Sequence, residues 1–402
     1  MDVLKLILLI CVGTIFYCYF GYGILLIIII RIRKIFKKKS ALTNEQFSPP
    51  VSLIVAAYNE QDFIKEKILN SLELDYPSGN LQVIFITDGS TDKTPEIIKE
   101  FPQILLLHQN ERSGKVAAMH RAMGHISTPY VIFSDANTLL NKDCIKNIVR
   151  HYQDPEVGGV AGEKKIIRSA GDNIAGAGEG LYWKYESFLK KLDSDFYTVV
   201  GAAGELFSVK KDLYVYPGNN ILLDDLVISL EVCRKGYRIV YEPNSFALET
   251  PSSSIKEEQK RKIRISAGAF QSIILLKGLL NIFKYPKLAF QYISHRVLRW
   301  TLCPAFLPIA FFTNLIIVIN RGGWFYDLLF AGQVFFYTGA FLGWMLFKKG
   351  VKKGFLYAFY YFLFINYSLY LGFIRFLKKN QTVLWEKASR TTYLPATEAK
   401  KE

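Results

Sequence analysis

The stretch VIFSDANTLL (131–140) decides how the polar middle of this chain folds. With Tyr130 before it, four apolar residues run to Phe133, and Ser134 then leads into Asp135-Ala136-Asn137. A short apolar run reads as a buried strand. This one stops on two hard-oxygen side chains at positions i and i+2. Alone, the ending is a turn, because Asp and Asn favour turns. Its neighbours change the reading. VSLIVAA (51–57) runs into Tyr58-Asn59-Glu60, LQVIFIT (81–87) runs into Asp88-Gly89-Ser90-Thr91-Asp92, and QILLLHQ (103–109) forms a further strand. Helical stretches begin near Glu60 and lie near 94–100, 115–124 and 142–152. Strands alternating with helices predict parallel strands with right-handed crossovers, an α/β domain. Their near-continuous apolar character predicts a sheet covered on both faces. Such sheets bind ligands outside the C-terminal ends of their strands, where all three polar clusters stand.

Several function classes fall away. No G-x-G-x-x-G follows the first strand, and G-x-x-x-x-G-K-[ST] is absent; Arg112-Ser113-Gly114-Lys115 only superficially resembles the latter. The net charge of +15 comes largely from residues beside apolar runs, where anionic lipid head groups are the natural partners. No nucleic-acid motif accompanies it. The five cysteines, Cys11, Cys18, Cys144, Cys233 and Cys303, have no paired spacing and read as packing residues.

The apolar runs are Leu6–Ile30, Trp300–Asn320, Leu328–Phe347 and Gly354–Ile374. Each meets the roughly 20-residue requirement for crossing a bilayer. Basic residues Arg31–Lys39 follow the first run, which reads as a retained anchor rather than a signal peptide. That cluster, with Lys348-Lys349-Gly350-Val351-Lys352-Lys353, predicts a cytoplasmic polar middle and an external N-terminus. Four crossings would leave Arg375, Lys378 and Lys379 outside, against the charge rule. Either the last run re-enters or the rule is overruled there.

Taken together, residues from about Pro50 to Ala269 resemble glycosyltransferase family 2, inverting nucleotide-sugar transferases of GT-A fold. The resemblance is strongest to membrane-integrated members such as poly-N-acetylglucosamine, hyaluronan and cellulose synthases. It implies a Rossmann-like α/β GT-A domain inserted between transmembrane helices. By resemblance, AAYNE (56–60) contributes Ala57, Tyr58, Asn59 and Glu60 to the nucleotide-sugar site, and DGSTD (88–92) contributes Asp88 and Ser90. GKVAAMHRAM (114–123) supplies Lys115, and SDANT (134–138) occupies the place of the D-x-D metal motif. Asp135 and Ala136 would then meet the nucleotide sugar, with Asp135 and Asn137 as metal ligands. Mg²⁺ or Mn²⁺ suits such oxygens, and either would neutralise a departing diphosphate. Asn137 replaces the commoner second aspartate and offers a carbonyl without charge.

The resemblance continues in VVGAAGELFSVKKDLY (199–214), where Gly201 and Gly204 would lie at the acceptor, joined by Glu163 and by Trp183 with Glu186. In ILLDDLVISLEVCRKGYRIVYEP (221–243), Asp225 takes the catalytic position and Asp224 the preceding acidic one. Acids also suit the first turn of a helix. Inversion in one displacement needs a carboxylate to take the acceptor proton. In QKRKIRI (259–265), Arg264 matches the diphosphate-contacting arginine of Q-x-x-R-W. Arg261 stands for the glutamine, and Ile265 for the tryptophan. Lys260 and Lys262 read as solvated or lipid-facing.

The expected divisions are 1–40 (first transmembrane helix and basic flank), 49–254 (GT-A domain) and 255–296 (interfacial amphipathic helices), then 297–377 (three transmembrane helices) and 378–402 (polar tail). The expected setting is the plasma (bacterial inner) membrane. Expected partners are a nucleotide-sugar donor, a glycan or lipid-linked acceptor and the bilayer, together with export or accessory proteins, and no nucleic acid. A silent nucleotide-sugar-binding partner of an export complex is the reading of another class.

Overall fold

The computed structural model describes residues 1–36, 47–167, 174–252, 254–349 and 354–379. Lys37–Lys39 of the basic flank, Gly350–Lys353 of the basic connection and tail residues 380–402 lie outside the described residues. Helices α1 (Asp2–Phe16) and α2 (Tyr22–Phe36) are continuous through a π-helical turn at Tyr17–Gly21. The domain follows with β1 (Val51–Ala57), α3 (Ile64–Leu72), β2 (Leu81–Asp88), α4 (Thr94–Lys99), β3 (Leu105–Gln109), α5 (Lys115–Met123), β4 (Tyr130–Asp135) and β5 (Thr138–Leu140). Next come α6 (Cys144–Val149), β6 (Val157–Ile166), α7 (Ile174–Phe196), β7 (Leu206–Lys210), α8 (Asp224–Arg234) and β8 (Arg238–Glu249). The chain ends in α9 (Ile255–Leu275), α10 (Pro286–Tyr292), α11 (Leu298–Ile319), α12 (Trp324–Lys348) and α13 (Gly354–Leu377).

The strands form one sheet in the order β3-β2-β1-β4-β7-β6-β8-β5. Strands β1 to β4 pair parallel, as the alternation predicts. The second half departs from it: β7 lies antiparallel between β4 and β6, and β5 antiparallel on β8, so the sheet is mixed. Successive β1 residues point to opposite faces. Ile54 and Ala56 meet α5 and α8 on one side, while Leu53, Val55 and Ala57 meet α3 and α6 on the other.

Register fixes where the site must be. Ala56 stands beside Asp135 and Ala57 beside Thr87, so β1, β2 and β4 release Tyr58, Asp88 and Asp135 at one edge. Because β7 runs the other way, with Leu206 opposite Ser134, residues 201–205 enter the sheet at that same edge.

Four helical segments are long and apolar enough to cross a membrane: Asp2–Phe36, Pro286–Ile319, Trp324–Lys348 and Gly354–Leu377. The second begins earlier than its sequence suggests, since α10 runs into α11 through a π-helical turn at Ile293–Val297. α13 does not run away from the domain. It lies along α9, with Tyr357 in one cluster with Ile255 and Tyr361 donating to Glu258 Oε1 at 3.4 Å. Gly372 sits against Ser266 and Ala267, and Phe270 meets Phe373 and Phe376 at centroid distances of 4.9 and 6.2 Å. α9 in turn packs on the domain, where Gly268 faces Leu222 and Leu223. α13, itself long and apolar enough to cross, therefore packs along α9 from its first turn to its last, which puts Arg375 close to α9 rather than apart from the domain.

Cysteines introduced at Lys379 and Lys349 are expected to react with an impermeant maleimide from one side of the membrane, and one at Arg321 from the other. Labelling of Lys379→Cys from the Arg321 side would instead make α13 a fourth crossing.

Candidate active site

Asp88 ends β2 and is 2% exposed. Its Oδ2 accepts from the Ser113 N–H at 3.0 Å and the Gly114 N–H at 2.6 Å, while Oδ1 is buried without a hydrogen-bond partner. The orphaned oxygen is an acceptor waiting for a donor. Around it, the loops after β1 and β2 are laced together. Asn59, at φ +54°, donates its N–H to Ser90 Oγ at 3.2 Å, and its Oδ1 accepts from the Thr91 N–H at 2.8 Å. The Glu60 N–H reaches Thr94 Oγ1 at 2.8 Å. Arg112 lies 3.7 Å over the Tyr58 ring, giving the edge a flat cationic wall.

Beside this wall the charged groups converge. Lys115, the first residue of α5, places Nζ 2.5 Å from Asp135 Oδ1. A Cβ built on Gly204 would lie 3.3 Å from Asp225 Oδ2 and 3.5 Å from Lys115 Nζ, so the Asp225 carboxylate, the lysine and the glycine turn share one point. Asp224 lines a pocket with Lys115, Asn219, Ile221 and Arg264. Burial opposes the Lys115 charge, but Asp135, Asp224 and Asp225 outweigh it and hold its pKa above the ordinary lysine value. Burial first, then the neighbouring Asp224, push the Asp225 carboxyl up to about 7, against the pull of Lys115. Burial also holds Asp135 above the usual carboxylate range despite its lysine.

The structure gathers Tyr58, Asn59, Glu60, Asp88, Ser90, Lys115, Asp135, Gly204, Asp224, Asp225 and Arg264 along this edge. Ala57 and Ala136 are buried just behind it. The other expected residues stand apart. Arg261 faces Glu249 and Glu258, at 3.8 and 3.3 Å. Lys262 is buried, 3.6 Å from Glu258 and 4.2 Å from the Tyr182 ring centroid, which corrects its solvated reading. The i,i+4 spacing to Glu258 is what brings it inward. Glu163 accepts from Ser187 and Tyr241 at 2.5 Å each. The ammonium groups of Lys164 and Lys190 lie 4.9 and 5.4 Å from the Trp183 ring. Glu186 is engaged by Arg296 at 2.9 Å and by Arg299. Sequence reasoning missed Glu205, which is paired with buried Lys164 and felt electrostatically by Asp135 and Asp225. Only its place beside Gly204 could have signalled it.

Residues 52–214 match the model of Glycosyl transferase family 2. They form a family 2 glycosyltransferase domain. Among curated proteins, the poly-beta-1,6-N-acetyl-D-glucosamine synthase of Staphylococcus aureus is 26% identical over 245 residues, which cover 58% of this chain and 57% of the synthase. The match thus spans little more than half of that relative's length. A dolichyl N-acetyl-alpha-D-glucosaminyl phosphate 3-beta-D-2,3-diacetamido-2,3-dideoxy-beta-D-glucuronosyltransferase of Methanococcus voltae is 24% identical over 254 residues, 58% of this chain and 76% of that one. Among solved structures, a mannosyltransferase from Pyrobaculum calidifontis, in complex with GDP-Man and Mn²⁺, superposes with a TM-score of 0.70 at 22% identity. It covers 94% of this chain and all of that one. The transferase domain has the GT-A fold, flanked at both ends by apolar helices.

The acidic edge of this domain fits a hard divalent cation. No group of three metal-ligating acids, histidines or cysteines occurs among the described residues, so Asp135 and Asn137 would leave most coordination positions to diphosphate and water. That is how Mg²⁺ is commonly held. The shared acidity of Asp135, Asp224 and Asp225 supplies the attraction.

Gly201, at φ +89°, turns the chain into this edge, and a Cβ there would lie 2.2 Å from Leu226 Cδ1. Gly201→Ala is expected to destabilise the protein by about 1–3 kcal/mol, read by thermal unfolding in detergent.

Proposed function

We propose that this protein is a membrane-bound, metal-dependent, inverting glycosyltransferase that moves a sugar from a nucleotide donor, most simply a UDP-sugar, to a glycan or lipid-linked acceptor at the membrane. The convergence of Gly204, Lys115 and Asp225 on one point carries this reading, because it sets a carboxylate beside an opening with no side chain of its own. The free Oδ1 of Asp88 suits the imide N–H of a uracil. Asn59 and Ser90 brace the loop beneath the nucleotide, and Lys115 and Arg264 face the diphosphate from a shared pocket. A divalent cation on Asp135 and Asn137 would supply charge neutralisation for the departing diphosphate. The acceptor hydroxyl enters over Gly204 and gives its proton to Asp225 as it attacks, so the anomeric configuration inverts. The basic clusters gathered on the domain side support a cytoplasmic catalytic domain in the plasma membrane.

Single transfer to a lipid or lipid-linked sugar is favoured over long-chain polymerisation by one observation. Arg261 is held by Glu249 and Glu258, and Ile265 provides no aromatic ring, so α9 carries no sugar-stacking platform of the Q-x-x-R-W kind. The full-length protein, incubated with labelled UDP-sugars, Mn²⁺ or Mg²⁺ and membrane lipid, is expected to give one short lipid-linked product. Long chains would return the reading to a synthase, and no transfer from any donor would support a silent binding partner.

The base works only when ionised, and its carboxyl titrates near 7. kcat/KM should therefore rise about tenfold per pH unit below 7 and level off above it. Asp225→Asn should remove about 10²–10⁴-fold of the rate and the acid limb, with UDP binding intact. Linkage gives the sign of its stability effect. A folded pKa raised above the unfolded value contributes stability at low pH that is lost as pH rises through about 7. At pH 8 the asparagine variant should unfold at no lower temperature than wild type.

A further inference from the structure

One ionisable group beneath the site has no part in the chemistry above. Lys67 on α3 is fully buried, on the helix stripe it shares with Ile64, Ile68 and Ser71, against a layer of apolar side chains. Its Nζ donates to Ser134 Oγ at 2.8 Å, and it makes no other side-chain hydrogen bond and no ion pair among the described residues. A buried cation that meets a single neutral hydroxyl is unfavourable, and burial drives the Lys67 pKa down to about 7. Packing alone would be better satisfied by a methionine of similar length.

What the lysine touches explains its presence. Ser134 Oγ lies 3.3 Å from Thr138 Oγ1, and Thr138 donates to the Asp135 carbonyl at 3.0 Å. One helical turn further along α3, Asn70 grips the backbone of Leu140, donating to its carbonyl at 2.9 Å and accepting its N–H at 2.8 Å. Lys67 and Asn70 are i and i+3 on one helix face. Together they clamp both ends of residues 134–140, the segment that carries Asp135 and Asn137.

We propose that Lys67 is a positioning residue of the donor site: acting through Ser134, it fixes the turn that aims Asp135 and Asn137 at the cation and diphosphate. This rests on the reading of that turn as the metal–diphosphate site. Lys67 meets no reacting atom. It sets the direction of groups that do, as outer partners orient ligands in metal sites generally.

The test uses the full chain in detergent with Mn²⁺ and UDP. Binding is followed by loss of the free Mn²⁺ electron paramagnetic resonance signal, and folding by thermal unfolding. Lys67→Met is expected to unfold at the wild-type temperature or above, yet to bind Mn²⁺–UDP about 10- to 100-fold more weakly. The donor KM should rise more than kcat falls. Ser134→Ala, which keeps the lysine and removes the hydroxyl that receives it, should weaken binding in the same direction and covers the case in which Lys67→Met fails to fold. Wild-type affinity in both variants, with loss of affinity in Asp135→Asn, would overturn the inference and leave the site reading standing. Failure of the wild-type protein itself to bind Mn²⁺–UDP would overturn both.

Discussion

The contact between Lys115 and Asp135 is the constraint around which the catalytic edge is arranged. Asp135, Asp224 and Asp225 act on one ammonium, with Glu205 close behind, and one lysine cannot neutralise them all. Burial first, and after it the neighbouring Asp224, hold the Asp225 carboxyl above the ordinary range against the pull of that lysine. The arrangement is costly as it stands, and under the proposed reading a cation entering with a diphosphate would relieve it. At 204 a Cβ would already press on the Asp225 carboxylate and touch the lysine, so glycine leaves this point open.

The parallel half of the domain was legible from the sequence because each strand there is a local signal, a β-branched run ending in polar residues. The β1, β2 and β4 assignments carried Asp88 and Asp135 to one edge without knowledge of the register. The antiparallel insertion of β7 was not legible. Its apolar run is no different from that of a parallel strand, and its direction depends on the long excursion through β6 and α7. Lys67 and Lys262 were opaque for a shared reason: long cationic side chains read as surface, and only three-dimensional partners, Ser134 for one and Glu258 for the other, turn them inward. The lysine at an apolar stripe position of α3 was nonetheless a readable anomaly. The charge conflict at the C-terminal run was another, and it marked the helix that the structure lays along α9.

The same physics governs how the domain meets its membrane helices. Tyr22 and His295 both bond Asp193, and Gln291 donates to the Asp193 carbonyl at 3.0 Å, so α2, α7 and the base of α11 are joined by groups with no access to water. Two helical turns away on α7, Glu186 binds Arg296 and Arg299. Buried ion pairs of this kind contribute little net stability, because desolvation offsets their attraction, but they allow only one register of the helices that carry them.

That register reaches the chemistry by a short path. Arg296, while paired with Glu186, also donates from Nε to the Val200 carbonyl at 3.1 Å, and Val200 immediately precedes Gly201. The Ala202 N–H then donates to Ser229 on α8 at 3.1 Å, on the helix that begins with Asp224 and Asp225. α9 approaches from the other side, held between Gly372 of α13 and the side chains of Leu222 and Leu223, which lead into the same helix. The acceptor turn and the base are thus each tied to a membrane-associated helix by groups whose displacement would strand a buried charge or force a steric clash. Embedding the domain in these helices does more than tether it. It makes the placement of Asp224 and Asp225 relative to these apolar helices a fixed property of the fold.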